Sequence, residues 1–251
     1  MKTIKLPADG LTRRVKRKLI GTIVCVETQD KVAALTFDDG PHPEHTPRLL
    51  DLLEKHRARA TFFMLGEAAS MYPDLVRQVS EAGHAIGNHS WAHPSLPSLS
   101  GRERRRQVLA CERAISPYGA RLFRPPFGHQ SLASRLDMVW LNYRVIMWSV
   151  MIGDWCEQDS DRMVSLLESK VKPGSIVLLH DAINSGGAST ASLPLQFDRR
   201  HMLTALDKYL SRHGDGYSFV TVPELLHHGA SVKRYWLVEN DEGFPRLATR
   251  W

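Results

Sequence analysis

The sequence predicts an α/β fold in which parallel strands, each followed by a helix, close into a barrel. Short apolar runs of strand character alternate with helical patterns along most of the chain, and repeated strand-helix units form parallel sheets. The number of units favours a closed barrel over an open sheet. A length of 251 residues with 43% hydrophobic residues suits one domain with a large core.

The chain begins with two candidate strands. "TIVCVETQDKVAALTF" (22–37) contains two β-rich stretches on either side of a polar turn at Gln29, Asp30 and Lys31. Two such stretches across a short polar turn predict an N-terminal β-hairpin. The second stretch, "VAALTF" (32–37), consists almost entirely of small and apolar residues and reads as the first buried strand of the sheet.

Helical and extended patterns alternate after this hairpin. Four leucines between positions 49 and 53 form one apolar helix face. Pro73 opens the next helix and Gly83 ends it. The patterns predict helices at about 46–56, 73–82, 101–115, 132–139, 161–170 and 199–212, and strands at 60–65, 84–87, 121–124, 143–148, 175–180 and 217–222.

The net charge of +6 is concentrated in the first 20 residues, which carry seven basic residues and one acidic residue. The rest of the chain is neutral overall, so we expect no broad basic face for nucleic acid. Leu11, Val15 and Leu19 recur at helical spacing among these basic residues. Residues 11–20 therefore have two interpretations: an ordinary surface helix packed on the barrel, or a helix in weak contact with an anionic membrane surface.

Three sequence features indicate where in the cell the protein acts. Cys25, Cys111 and Cys156 are far apart and lack CxxC spacing, which indicates neither a disulfide framework nor a thiolate zinc site. "LIGTIVCV" (19–26) follows a long charged region and lacks a small-x-small cleavage site, unlike a secretory signal. No stretch reaches the ~20 apolar residues of a membrane span. We expect a cytoplasmic protein, at most peripheral to the inner membrane, and we make no prediction of its oligomeric state.

Polar residues follow five of the predicted strands. In a parallel barrel the carboxyl ends of the strands meet at one face, where active sites are built. We therefore expect these residues to surround one site. They are Asp38, Asp39, Asn88, His89, His93, Arg124, Asp154, Trp155, His180 and Asp181.

Two of these residues, His89 and His93, lie four positions apart in "GNHSWAHP". On one helical turn this spacing places both imidazoles on the same side, and Gly87 and Pro94 confine that turn to a loop. Alone, the pair is better explained by two surface histidines. With a carboxylate from another strand end, it forms the two-histidine, one-carboxylate set that leaves a position for water on catalytic zinc.

Five short motifs occur in order over most of the chain. They are "TFDDGP" (36–41), "HSWAH" (89–93), "RPPFG" (124–128), "DW" (154–155) and "LLH" (178–180). In this order they resemble the motifs of the polysaccharide deacetylases, the NodB homology domain of carbohydrate esterase family 4. The resemblance implies a distorted (β/α) barrel over about residues 30–228. It leaves a basic N-terminal arm with the first hairpin strand at 1–29 and a C-terminal extension at 229–251.

The resemblance also implies a metal centre beside a general base. Asp39, His89 and His93 would hold zinc or another divalent transition metal such as Co²⁺, and Asp38 would take a proton from the attacking water. Adjacent carboxylates repel each other unless cations are near, and a metal and an arginine would supply those cations. Because neighbouring side chains on an extended chain point in different directions, the two carboxylates can divide these duties.

The remaining motif residues have implied roles around this centre. Arg124 would orient Asp38, although a surface arginine is the alternative. His180 would be the general acid that protonates the departing amine, and Asp154 would keep its imidazole charged near neutral pH. The backbone N–H of Phe127 would donate to the oxyanion. Two further residues would contact the acetyl methyl group or serve only in core packing: Trp155 and Leu178.

The implied reaction is hydrolysis of N-acetyl groups on an oligo- or polysaccharide that contains N-acetylglucosamine, with release of acetate. The sequence leaves chitin oligomers, peptidoglycan fragments and lipid-linked sugars open as substrates. Two other functions stay open: a metal amidase acting on a small non-sugar amide, and an inactive glycan-binding relative. The complete set of motif residues argues against an inactive protein.

Three departures from the family pattern bear on the substrate cleft. Met151 stands where many relatives carry an aspartate, and Phe127 where many carry a tyrosine. The first change removes a carboxylate from one wall of the expected cleft. The segment 182–198 is long and rich in Gly, Ser and Ala, and its place after His180 favours a substrate-covering loop.

Overall fold

The structure of the protein, a computed structural model, describes residues 20–157, 159–183, 198–214 and 216–238. The predicted α/β class is confirmed, because parallel strands curl into an incomplete barrel with helices packed against it. The basic segment 11–20, apart from Ile20, lies outside the described residues. Most of the predicted covering loop at 182–198 lies outside them as well, so both interpretations stay predictions.

The elements alternate along the chain as expected for repeated strand-helix units. The strands are β1 (Thr22–Glu27), β2 (Val32–Asp38), β3 (Ala60–Met64), β4 (Ala85–Asn88), β5 (Gly119–Phe123), β6 (Arg144–Val145), β7 (Val150–Met151), β8 (Ile176–His180), β9 (Ser218–Phe219) and β10 (Ala230–Arg234). The helices are α1 (His45–Lys55), α2 (Gly66–Met71), α3 (Pro73–Glu81), α4 (Gly101–Ala114), α5 (Leu132–Trp140), α6 (Ser160–Lys170), α7 (Arg200–His213) and α8 (Val222–Leu225).

Strand β2 lies at the centre of the sheet. All of its residues are buried, and it pairs in parallel with β3 on one edge and β8 on the other. The strand order is β6-β5-β4-β3-β2-β8-β7, and β9 pairs with the start of β2. This register sets Asp38 opposite Phe63 on β3 and His180 on β8. The first and last motifs therefore meet at the carboxyl ends of adjacent strands.

The predicted N-terminal hairpin is wrong. Strand β1 pairs antiparallel with β10 instead of β2, and the two form a separate two-stranded sheet. Since β3 and β8 occupy both edges of β2, no edge is left for β1. Strand β1 contacts the chain elsewhere: the Met147 N–H donates to the Ile23 carbonyl at 2.8 Å, and the Val26 N–H donates to the Gly174 carbonyl at 2.9 Å.

The same contact explains why β6 is shorter than predicted. The sequence indicated a strand at 143–148, but only Arg144 and Val145 pair with β5. At Met147 the backbone bonds to β1 and so leaves the edge of β5. Strands β1 and β10 lie outside the predicted domain limits of 30–228 yet pair with each other, and those limits stay a prediction.

The helices lie within a few residues of their predicted positions, with two short additions, α2 and α8. Helix α4 begins with a capping box in which Ser100 and Glu103 bond to each other's backbone N–H groups. Within the described ranges, none of these helices combines the length and the apolar character that a membrane crossing requires.

Candidate active site

The two adjacent carboxylates at the end of β2 face different partners. Asp38 is the last strand residue, and its Oδ1 accepts a hydrogen bond from Nη1 of Arg124 at 2.8 Å. Asp39 has left the extended conformation, with φ of 76°, and its Oδ1 lies 3.4 Å from Nε2 of both His89 and His93. This turn, and not the alternation of an extended strand, separates the two side chains.

The two histidines lie in the loop that follows β4, not on a helical turn. Ser90 and His93 adopt left-handed backbone conformations, with φ of 70° and 57°, and the rings of His89 and His93 lie 5.0 Å apart. Nδ1 of His89 is 2.7 Å from the carbonyl oxygen of Arg124. A carbonyl only accepts, so Nδ1 carries the proton and the lone pair of Nε2 faces Asp39.

The donor set fits a divalent metal ion. One oxygen of Asp39 and one ring nitrogen each of His89 and His93 lie within 4.8 Å of one another, and all three residues are buried. Burial lowers the pKa of His93 to about 4 despite the nearby Asp39 carboxylate, so the ring is neutral at pH 7. Burial opposes ionisation of Asp39, yet at the low pH where this carboxyl titrates the positive charge of protonated imidazoles, of His93 first and then of His89, holds the pKa of Asp39 below its usual range. Neutral imidazoles and an ionised carboxylate are the ligand forms that zinc binds.

Arg124 is fully buried behind Asp38, so the surface alternative is wrong. Its Nη1 also donates to Oγ1 of Thr36 at 2.7 Å, and its guanidinium lies 4.2 Å from the Phe63 ring centroid. Its Nε and Nη2 donate to backbone carbonyls at 3.2 and 3.1 Å. Contacts on several sides fix the guanidinium, which in turn fixes one oxygen of Asp38.

His180 ends β8 and pairs with Asp154. Nδ1 of His180 lies 3.1 Å from Oδ1 of Asp154, and the backbone N–H of His180 donates to Oδ2 at 2.9 Å. Burial disfavours the imidazolium ion, but the carboxylate of Asp154, together with the smaller effects of Asp39 and Asp38, outweighs burial and raises the pKa of His180 to about 9. His180 therefore carries a proton at neutral pH, as a general acid must.

Asp38, Asp39, His89, His93 and His180 all line one pocket of about 340 Å³. Phe127 lines it with a side chain that is 42% exposed, and its ring centroid is 4.3 Å from that of His93. The Trp155 ring meets the His180 ring edge-on at 5.4 Å. Buried Leu178 and partly buried Met151 also line the pocket, so the wall at Met151 is apolar.

The structure adds two residues to the predicted set. Trp148 lines the pocket and lies 5.6 Å from the Arg124 guanidinium; its place at the end of the predicted strand 143–148 was a usable signal. Arg199 is 2% exposed, and its Nη1 donates to Oδ2 of Asp154 at 3.2 Å. It lies 45 positions after Asp154 in the sequence, so no local pattern connects the two residues.

Two residues at predicted strand ends serve the scaffold instead of lining the pocket. Nδ2 of Asn88 donates to the Val108 carbonyl at 2.8 Å. Asp181 accepts a hydrogen bond from Oγ1 of Thr46, and burial raises the pKa of Asp181 to about 7. Every residue predicted as a ligand, acid, base or pocket residue lies in or directly behind the pocket.

Comparison with known proteins assigns the chain to a family. A sequence model described as "Polysaccharide deacetylase" matches residues 26–146. A peptidoglycan-N-acetylglucosamine deacetylase of Bacillus cereus is 36% identical over 208 residues, which cover 81% of this chain and 92% of that protein. The chain belongs to the polysaccharide deacetylase family. The resemblance seen in the five motifs is thereby confirmed.

Relatives in the polysaccharide deacetylase family are named for different substrates. A chitooligosaccharide deacetylase of Sinorhizobium fredii is 40% identical over 151 residues, covering 59% of this chain and 70% of that protein. Among solved structures, the Bc1960 peptidoglycan N-acetylglucosamine deacetylase superposes with a TM-score of 0.72 at 30% identity, covering 83% of this chain and 94% of that chain. The family and the fold are thus established together.

Proposed function

We propose that this polysaccharide deacetylase removes N-acetyl groups from an oligo- or polysaccharide that contains N-acetylglucosamine, releasing acetate and leaving a free amine. One observation carries the proposal: a carboxylate held by a buried arginine and a protonated histidine held by a buried carboxylate face one pocket around a three-residue metal set. These are the base, the acid and the ligands that amide hydrolysis needs.

The proposed metal ion is zinc or another divalent transition metal such as Co²⁺, held by Asp39, His89 and His93. When bound, such an ion would act as a Lewis acid on water and on the acetamide carbonyl. The buried two-histidine, one-carboxylate set and its protonation states support this assignment.

Asp38 is the proposed general base. Its Oδ1 is occupied by Arg124, so Oδ2 is the oxygen that takes the proton from the attacking water. The oxygen of that water forms a bond to the acetamide carbon, and the carbonyl oxygen takes up the displaced electron pair. We assign the backbone N–H of Phe127, at the pocket wall, as a donor to that oxyanion.

His180 is the proposed general acid. An amine cannot depart as an anion, so a proton must reach the nitrogen as the C–N bond breaks, and protonated His180 supplies it. Asp154 orients the imidazole through Nδ1. The electron pair of the broken bond stays on the nitrogen, and acetate and the amine are the two products.

The acetyl methyl group fits the apolar part of the pocket. Trp155 and Leu178 line this part beside His180, together with Trp148 and Met151. A carboxylate at position 151 would give that wall hydrogen-bonding capacity, and methionine does not. We therefore expect the side chain at position 151 to make no hydrogen bond to the sugar in this enzyme, unlike the aspartate of relatives that have one there.

Acetate release from an N-acetylglucosamine oligomer tests the proposal against its alternatives. We expect release by the metal-loaded enzyme, loss of release after chelation, and recovery on adding Zn²⁺ or Co²⁺. Hydrolysis of small acetamides without action on the oligomer would indicate the non-sugar amidase. Binding of the oligomer without acetate release would indicate an inactive glycan-binding relative, and full activity in metal-free protein would refute the metal mechanism.

A further inference from the structure

The loop that carries His89 and His93 is held from outside the pocket by one side chain of helix α4. Oε1 of Gln107 accepts hydrogen bonds from two successive backbone N–H groups of this loop, those of Trp91 and Ala92, each at 3.0 Å. Because both partners are donors, the atom that faces them is the amide oxygen. Gln107 thus contacts the loop midway between the two histidines.

Two further N–H groups of the loop are bonded to side chains, and the His89 N–H donates to the Met64 carbonyl at 3.0 Å. The Ser90 N–H donates to Oδ1 of Asn88 at 2.9 Å, and the His93 N–H donates to Oγ of Ser90 at 3.2 Å. These two contacts are local to the loop and its strand.

Helix α2 holds the carbonyl side of the loop, since the N–H groups of Gly66 and Glu67 donate to the Ser90 and Trp91 carbonyls at 2.9 and 3.1 Å. Gln107 is the side chain that bonds the N–H groups in the middle of the loop to a separate element, and so fixes that side of the loop relative to helix α4.

The loop needs such support because its backbone is strained. Ser90 and His93 both have positive φ, a region that costs non-glycine residues of order 1–3 kcal/mol each and persists only where surrounding contacts hold it. If the middle of the loop relaxed, the change in φ at His93 would turn its imidazole away from Asp39. The protein would still fold with a loosened loop, but the ring nitrogens of His89 and His93 would no longer face Asp39 together.

Helix α4 is a rigid platform for this contact. The capping box at Ser100 and Glu103 fixes its start, and the residue after Gln107 accepts a hydrogen bond from Asn88 through its carbonyl. Gln107 also lines a surface cavity of about 750 Å³ together with Trp91 and Arg106. Water from that cavity can reach the loop N–H groups if the glutamine oxygen is removed, so a substitution here need not unfold the protein.

We propose that Gln107 is a positioning residue for the metal site, and that its amide oxygen sets metal affinity by holding the His89–His93 loop in its strained conformation. The inference rests on the metal proposed above. Gln107 lies outside the pocket and touches none of the three ligands through its side chain. Outer contacts of this kind change metal affinity about 10–100-fold when removed.

Substitution of Gln107 with a metal-affinity readout tests this inference. Gln107→Met removes the acceptor at similar volume, and we expect Zn²⁺ affinity, measured by competition with a chelator, to fall about 10–100-fold. Gln107→Glu keeps an acceptor oxygen at the same reach and should bind Zn²⁺ within a few-fold of the unmodified protein. Gln78→Met is the matched control, because Gln78 is exposed on helix α3, and it should leave affinity unchanged.

Each outcome decides one question. Equal Zn²⁺ affinity in Gln107→Met and the unmodified protein overturns the positioning role while leaving the metal site intact. No Zn²⁺ binding by the unmodified protein would instead refute the metal itself. If Gln107→Met does not fold, Gln107→Asn retains the amide but draws its oxygen back by one methylene, and unchanged affinity in that variant would equally overturn the inference.

Discussion

Asp38 and Asp39 are chain neighbours with different surroundings. Asp38 is bonded to the fully buried guanidinium of Arg124, whereas Asp39 faces the ring nitrogens of His89 and His93. The left-handed turn at Asp39 produces this division. The proposed mechanism therefore assigns one carboxylate to the proton chemistry and the other to the metal set.

This division predicts different losses in two isosteric variants. Asp38→Asn should keep near-stoichiometric metal but release acetate at least ~10²-fold more slowly, since a general base contributes about that factor or more. Asp39→Asn should weaken metal binding itself, because an amide replaces the charged ligand. Metal content and turnover measured on both purified variants check this, and equal metal loss in the two would contradict the assignment.

The raised pKa of His180 predicts that activity is lost at alkaline pH. Its pKa is raised from the ordinary 6.5 to about 9, so the acid form persists at neutral pH and is lost as pH rises through about 9. The stabilisation from its pairing with Asp154 is likewise complete below about 6.5 and lost over the same rise. We expect kcat/KM to fall along this limb.

The variant Asp154→Asn tests the cause of that limb. Without the Asp154 carboxylate, burial is opposed only by the smaller effects of the Asp39 and Asp38 carboxylates, so the pKa of His180 falls and the alkaline limb of kcat/KM moves to lower pH. The unmodified enzyme and the Asp154→Asn variant are compared with the same metal ion bound. The charge of that ion therefore does not change the expected direction of the shift. A limb that stays in place in the variant would exclude His180 as the titrating acid.

At the residue scale, the sequence predicted the site well because its residues follow strand ends within short motifs. Arg199 and Gln107 were not predicted, because they act across the fold on Asp154 and on the loop after β4. Neither lies in a pattern that period or spacing could identify. Their roles depend on which surfaces pack together, and only the structure contains that information.

At the element scale, helices with a clear apolar face were predicted within a few residues, whereas pairing partners were not. Local rules join a strand to its nearest neighbour, and they joined β1 to β2. The pairing of β1 depends instead on the occupied edges of β2 and on a strand at the far end of the chain. Short elements such as α2 and β7 have too few residues for a period to be recognised.

The close approach of Gly174 to β1 predicts that the protein's stability depends on glycine at this position. Its φ is 79°, and a Cβ there would collide with the carbonyl of Val26 on β1. Gly174→Ala should therefore lower the free energy of unfolding by at least about 2 kcal/mol, from strain and overpacking together. Gly216→Ala is the control, since its Cβ would meet only ordinary contact. Denaturant unfolding of both variants measures the difference, and equal stability would refute the close approach.

At the scale of the whole molecule, Ile20, the first described residue, contacts a helix that carries an exposed apolar surface. Nε of Arg135 on α5 donates to the Ile20 carbonyl at 2.9 Å, and Ile20 directly follows the basic segment in the sequence. The neighbouring face of α5 is 46–72% exposed at four apolar side chains, namely Leu132, Leu136, Val139 and Trp140. Apolar side chains beside a basic segment suit an anionic membrane surface.

Sedimentation with lipid vesicles tests that membrane contact. If residues 11–20 contact an anionic membrane surface, the full chain should pellet with anionic vesicles at low salt and not with neutral ones, because each basic residue near the surface contributes about 1 kcal/mol. Replacing the five basic residues between positions 13 and 18 by glutamine should abolish pelleting, as should high salt. Unchanged behaviour of that variant would mean that the segment's charge has no membrane role and that the surface helix is the better interpretation.

Strand β1 is synthesised long before β10, the strand with which it pairs. About 200 residues separate Glu27 from its partner Ala230, and a ribosome adding roughly 5–20 residues per second needs roughly 10–40 s to cover that distance. During this time β1 has left the ribosome without its partner strand, and its free edge is available to other nascent chains. An apolar strand therefore waits for its partner until β10 has been made, which makes β1 the first segment to examine if the protein aggregates during expression.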